Sequence, residues 1–190
     1  MNLPNKLTLL RILLVPVFLL CMYLAIPVRY TLALAVFALA SLTDALDGHI
    51  ARKYRLITTF GKFADPLADK VLVIAALAVF TEMPEVPVNA AALVIVAARE
   101  FMVSGLRLVT AEKGIVVAAG IWGKLKTAFT MVSIVAILLW LALSQDFGLL
   151  TAFSASVNTV LCILVWISVV LTIISGGIYL KGYWKYLEMK

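Results

Sequence analysis

Apolar side chains run almost unbroken through residues 7–26, 30–46, 66–81, 86–109, 125–143 and 153–180, with polar residues gathered in short stretches between them. None of these runs alternates with period two and each is longer than an ordinary strand, so each predicts a helix. Crossing the hydrocarbon of a bilayer takes about 20 apolar residues, and the six runs are close to that length or above it. The pattern predicts an all-α integral membrane protein with six transmembrane helices, in which residues 1–190 form a single membrane domain. The first run is too long for the apolar part of a cleavable leader and no small-residue cleavage site follows it, so it is read as a span.

Composition closes the other routes. The chain is 64% hydrophobic and 14% charged, against about 45–50% and about 25% in a soluble domain. A water-soluble exterior, a disordered chain and a disulfide scaffold are all excluded. Cys21 and Cys162 both fall inside apolar runs and read as small buried hydrophobes. Neither an internal repeat nor a Gly/Ser-rich linker divides the chain.

The basic residues set the orientation. With both termini cytoplasmic, 15 of the 16 lysines and arginines fall on the cytoplasmic side and only Arg29 falls outside. That is the asymmetry expected of a multi-pass protein. The proposed outer turns, 81–86 and 144–147, carry Glu82, Glu85 and Asp146. The net charge of +6 is therefore a one-sided belt for anionic lipid headgroups, and no nucleic-acid partner is expected.

Four acids stand where they are costly. Asp44, Asp47, Asp65 and Asp69 crowd the facing ends of the second and third runs, and an unpaired aspartate at a span centre costs about 2.5–3.5 kcal/mol on insertion scales. At 3.6 residues per turn, the first two lie about 60° apart and the last two about 40° apart, so each pair shares one helix stripe. A turn at 53–59 makes the two helices antiparallel neighbours that can aim all four carboxylates into one cavity. Such a cluster is stable only if protonated or neutralised by cations. Oxygen-only ligation with no partnering His or Cys suits Mg²⁺, Mn²⁺ or Ca²⁺, and two such ions can clamp a phosphoryl transfer. The plainer alternative is solvated helix ends paired with Arg52, Lys53, Lys62 and Lys70. His49, the only histidine, reads as an interfacial side chain.

The run Asp44-Ala45-Leu46-Asp47-Gly48-His49-Ile50-Ala51-Arg52, eight further residues, and Gly61-Lys62-Phe63-Ala64-Asp65-Pro66-Leu67-Ala68-Asp69 resembles the D-x-x-D-G-x-x-A-R-x8-G-x3-D-x3-D motif of the CDP-alcohol phosphotransferase family at every fixed position. The resemblance implies a six-helix membrane enzyme, usually a homodimer, that displaces CMP from a CDP-activated lipid with an alcohol. It implies two Mg²⁺ or Mn²⁺ ions held by Asp44, Asp47 and Asp65, with Asp69 beside them as the general base. Asn5, Thr8, Gly48, Ala51, Arg52 and Gly61 are implied to line the CDP-lipid site. The active site is expected to face the cytoplasm from a bacterial-type inner membrane.

Within the family the chain is most similar to members whose acceptor is glycerol 3-phosphate, with CDP-diacylglycerol as donor. The similarity is nearly full length and includes Asn2–Arg11, Asp65–Val73, Ala98–Glu100, Gly105–Val109 and Gly123–Thr127. At position 130 this chain has Thr where such members often have Gln. An acceptor bearing a phosphate dianion needs a cationic pocket beside the metals, and Arg99, Arg107, Lys124 and Lys126 are expected to supply it. Arg99 and Arg107 are eight residues apart, close to two helical turns, and so share a face. Sister enzymes making cardiolipin, phosphatidylinositol phosphate or phosphatidylserine would keep the same aspartate motif. A divalent-cation or proton-coupled transporter is the alternative of a different class, but it would place such acids near the midplane between repeats.

Overall fold

The computed structural model describes the backbone of residues 3–54, 59–112 and 120–184, with side chains throughout except at 3–4, 44–54, 59–66, 69 and 111–112. Among the described residues there are six α-helices and no strand: α1 (Leu3–Tyr23), α2 (Arg29–Tyr54), α3 (Thr59–Thr81), α4 (Ala90–Glu112), α5 (Ile121–Leu141) and α6 (Ser154–Trp184). α1 packs against α2 and α3, α5 against α2 and α6, and α4 against α3 and α6. Each expected apolar run therefore has its helix.

Boundaries differ where polarity and helicity part company. α2 runs on to Tyr54 and α3 begins at Thr59, well outside the apolar runs 30–46 and 66–81. Apolar periodicity stops at the aspartates, while the helices continue through the polar stretch, Gly48, Gly61 and Pro66 included. α4 starts at Ala90 rather than 86 because Pro84 and Pro87 interrupt the preceding segment and Asn89 caps the helix, its side-chain oxygen accepting from the Ala92 N–H at 2.9 Å. Val86 and Val88 of that loop are nonetheless buried in the core. The expected turn at 144–147 is replaced by a π-helical extension of α5, Ala142–Asp146. The chain reverses only after it, where Gly148 takes a φ of +65° that its missing Cβ permits.

The helices bury one stripe each. On α1 that stripe is Asn5, Thr8, Arg11, Val15, Phe18 and Met22, steps of three and four residues that keep one face. Phe18 meets Phe37 of α2 with ring centroids 6.1 Å apart. The opposite faces are covered in large apolar side chains, such as Leu13 and Leu20 on α1 and Ile163, Val170 and Ile173 on α6, all exposed. Oil-facing exteriors of this kind belong in lipid. Segments Asn5–Tyr23, Ile121–Asp146 and Thr151–Trp184 are long and apolar enough to cross a bilayer, while the apolar parts of α2 and α3 are shorter. The chain is a membrane protein.

Candidate functional site

The aspartate motif lies at one end of the α1–α2–α3 unit. Asp44, Asp47, Gly48, Ala51 and Arg52 are on α2, and Gly61, Asp65 and Asp69 are on α3; their side chains lie outside the described residues, as does that of His49. Backbone register is informative without them. Counted from the helix ends that flank the 55–58 connection, Asp44 and Asp69 each lie ten residues along, and Asp47 and Asp65 seven and six. With a rise of about 1.5 Å per residue, Asp44 and Asp69 each stand about 15 Å along their own helix from that end, and Asp47 and Asp65 about 9–10 Å.

α1 packs along both α2 and α3. A short connection, 24–28, joins its end at Tyr23 to the start of α2 at Arg29, so Asn5 and Thr8 lie opposite the stretch of α2 that holds Asp47 and Asp44. Here the buried stripe of α1 turns from apolar to polar: Asn5 is buried, Thr8 is fully buried and Arg11 is 1% exposed. Polar groups are costly inside a bilayer unless they are satisfied, and all three have partners in the structure.

Beside this region is a cavity of about 540 Å³ lined by Lys70, Arg99, Glu100, Arg107, Lys124 and Tyr179, with Ser104 and Thr127 among the remaining wall residues. It brings together three of the four expected acceptor-site cations. Four lining side chains are basic and one is acidic, an imbalance suited to a dianion. Arg107 and Lys124 are exposed at its edge, whereas Arg99 is only 11% exposed.

Lys126 is placed differently. It is 4% exposed and makes an ion pair with Glu100 of α4, and it is not among the wall residues. On α5 it begins the inward-facing series that continues with Thr130, Ser133 and Ile134. Thr130 hydrogen-bonds the Ser168 hydroxyl of α6 at 2.7 Å, which satisfies a polar pair inside the apolar packing.

Lys70 joins the cavity wall as a fourth cation, besides Arg99, Arg107 and Lys124. Its sequence signal is adjacency: it follows Asp69 directly, so the cationic cavity adjoins the turn of α3 that bears the fourth motif aspartate. Tyr179 also lines the cavity, and nothing in the sequence near the end of the last apolar run ties it to a site. Among the described residues no group of three or more His, Cys, Asp or Glu can hold a metal ion, and the side chains of the motif aspartates lie outside those residues.

Residues 1–174 match the family model of CDP-alcohol phosphatidyltransferase. The chain belongs to this family. Among CDP-alcohol phosphatidyltransferases it is similar to the CDP-diacylglycerol–glycerol-3-phosphate 3-phosphatidyltransferase of Bacillus subtilis, with 39% identity covering 98% of this chain and 97% of that protein. The enzyme of the same name from Rickettsia bellii is also 39% identical, covering 97% of each chain. That of Escherichia coli is 42% identical over 73% of this chain and 77% of its own.

Proposed function

We propose that this CDP-alcohol phosphatidyltransferase transfers the phosphatidyl group of CDP-diacylglycerol to glycerol 3-phosphate, giving phosphatidylglycerol phosphate and CMP. The observation that carries the choice of acceptor is the cationic cavity adjoining the Asp69 turn: an acceptor with its own phosphate needs fixed positive charge next to the reacting centre, and a neutral alcohol does not. Relatives of that name, aligned over nearly the whole chain, support the same reading.

Asp44, Asp47, Asp65 and Asp69 form an all-oxygen donor set that fits hard divalent ions, two Mg²⁺ or Mn²⁺. Such ions, when bound, offset the charge of the diphosphate and of the departing CMP. Asn5, Thr8, Gly48, Ala51, Arg52 and Gly61 line the CDP-lipid site, with the small residues allowing close approach and Arg52 able to fork onto phosphate. Arg99, Arg107 and Lys124 hold the acceptor's phosphate. The glycerol 1-hydroxyl oxygen of the acceptor attacks the phosphatidyl phosphorus, the bond from that phosphorus to the CMP oxygen breaks so that CMP leaves, and Asp69 takes the hydroxyl proton. Holding both substrates in adjoining sites supplies the alignment.

The helices form one membrane domain of six spans with both termini in the cytoplasm, the orientation supported by the basic residues. The active site then opens to the cytoplasmic face of a bacterial-type inner membrane, and the protein acts as a homodimer. The test is to incubate purified protein with CDP-diacylglycerol and a panel of labelled alcohols. CMP release coupled to consumption of glycerol 3-phosphate is expected. Preference for phosphatidylglycerol, inositol phosphate or serine would assign a sister reaction instead.

A further inference from the structure

Arg99 does not behave as a membrane-surface anchor. An arginine free to snorkel would extend toward the headgroups, yet this one turns inward and is held on several sides. Its Nη1 donates to the Glu100 carboxylate at 3.3 Å and its Nη2 to the Ser175 hydroxyl of α6 at 2.6 Å. Its guanidinium carbon lies 5.4 Å from the centroid of the Tyr179 ring, within cation–π range. Tyr179 is in turn stacked on Tyr183, with centroids 6.3 Å apart. Space for the side chain depends on a missing group: a Cβ on Gly176 would stand 3.2 Å from Arg99 Cγ. After these contacts the buried Nε has no partner among the described residues.

We propose that Ser175, Gly176 and Tyr179 are positioning residues that hold Arg99 over the cavity and keep one guanidinium edge for the acceptor's phosphate. All three lie just beyond the stretch that matches the family model. The proposal rests on reading the cavity as the acceptor site. A long flexible cation ordered only on binding would lose rotamer entropy at that moment, whereas one already clamped loses little. Selectivity for a phosphorylated acceptor is thus built partly by a helix that supplies no cation to the cavity wall.

The experiment measures Michaelis constants for both substrates, together with equilibrium binding of glycerol 3-phosphate to the detergent-purified full chain. Ser175→Ala is expected to raise the glycerol 3-phosphate KM about 5-fold, the scale of one hydrogen bond, with kcat and the CDP-diacylglycerol KM unchanged. Ser175→Thr keeps the hydroxyl and restores the wild-type constant. Gly176→Ala, which removes no contact, raises the same KM by crowding Arg99. Tyr179→Phe keeps the ring and stays within about 2-fold, while Tyr179→Leu does not. Equal effects on both substrates, failure of Ser175→Thr to rescue, or an unchanged glycerol 3-phosphate KM in Ser175→Ala would each overturn the positioning role while leaving the acceptor assignment standing. A wild type that bound no glycerol 3-phosphate would sink both.

Discussion

The carboxylate of Asp146 sits on the N-terminus of α2, where it accepts hydrogen bonds from the backbone N–H and the hydroxyl of Thr31, both at 2.7 Å and 115 residues away in sequence. An N-terminal turn leaves N–H groups without helical partners and a partial positive charge, and here the cap comes from a different part of the chain. The π turn at Ala142–Asp146 is what brings Asp146 to that position. Asp146→Ala should lower stability by about 1–2 kcal/mol, with Asp146→Asn intermediate. Thermal unfolding in detergent measures this, and an unchanged midpoint for the Ala variant would show that the cap contributes nothing.

Glu100 and Lys126 join α4 to α5 with their side chains 12% and 5% exposed. Removing one member of such a pair costs up to about 3–5 kcal/mol where it strands a buried charge, and less where another partner remains, as Arg99 does for Glu100, whereas replacing both members by uncharged groups of similar size costs less still. Glu100→Gln and Lys126→Met should therefore each destabilise more than their combination does. Strict additivity of the three melting shifts would mean that the two groups do not depend on each other.

The helices were legible in the sequence because lipid forces long apolar runs, and the aspartate motif because charge is conspicuous in them. What hid was whatever depends on a partner from another helix. A count of basic residues treats Lys126 like Lys124, but only the first has Glu100 across from it. Residues 144–147 read as a turn until Asp146 is seen on α2. Ser175 lies in a run of small and apolar residues with nothing to distinguish it from packing, and its role appears only when Arg99 is found against it.

Burial also ranks the two arginines. Arg99 is largely shielded while Arg107 is exposed at the cavity edge, so solvent and salt screen Arg107 more strongly. Arg99→Ala should raise the glycerol 3-phosphate KM by about 10- to 150-fold, the range for a lost charge-assisted bond. Arg107→Ala should have the smaller effect, and one that shrinks further at high salt. Steady-state kinetics at two ionic strengths would reveal the order, and a larger, salt-insensitive loss at Arg107 would reverse the assignment.

Metal dependence follows from the donor chemistry. Chelation should abolish CMP release, and Mg²⁺ or Mn²⁺ should restore it, because four carboxylates proposed to form one donor set would repel one another without cations. Asp44→Ala, Asp47→Ala or Asp65→Ala should weaken metal and CDP-diacylglycerol binding together. Full turnover in excess chelator would remove metal ions from the mechanism.

Asp69 is the residue where ligand and base separate. It lies as many residues from the start of α3 as Asp44 lies from the end of α2 and belongs to the same motif, which suits a metal ligand, yet it directly precedes Lys70 of the cationic cavity, which suits a group that meets the acceptor. Asp69→Asn preserves shape and removes basicity. If proton removal is its main contribution, turnover should fall by about 10²–10⁴, while CDP-diacylglycerol affinity stays close to that of the wild type. Titrating CDP-diacylglycerol and metal against the same preparation used for the rate measurement distinguishes the two roles. Parallel losses in binding and rate would place Asp69 with the metal ligands, and the base would then have to be sought elsewhere along the cavity wall, where Glu100 is the one carboxylate present among the described residues.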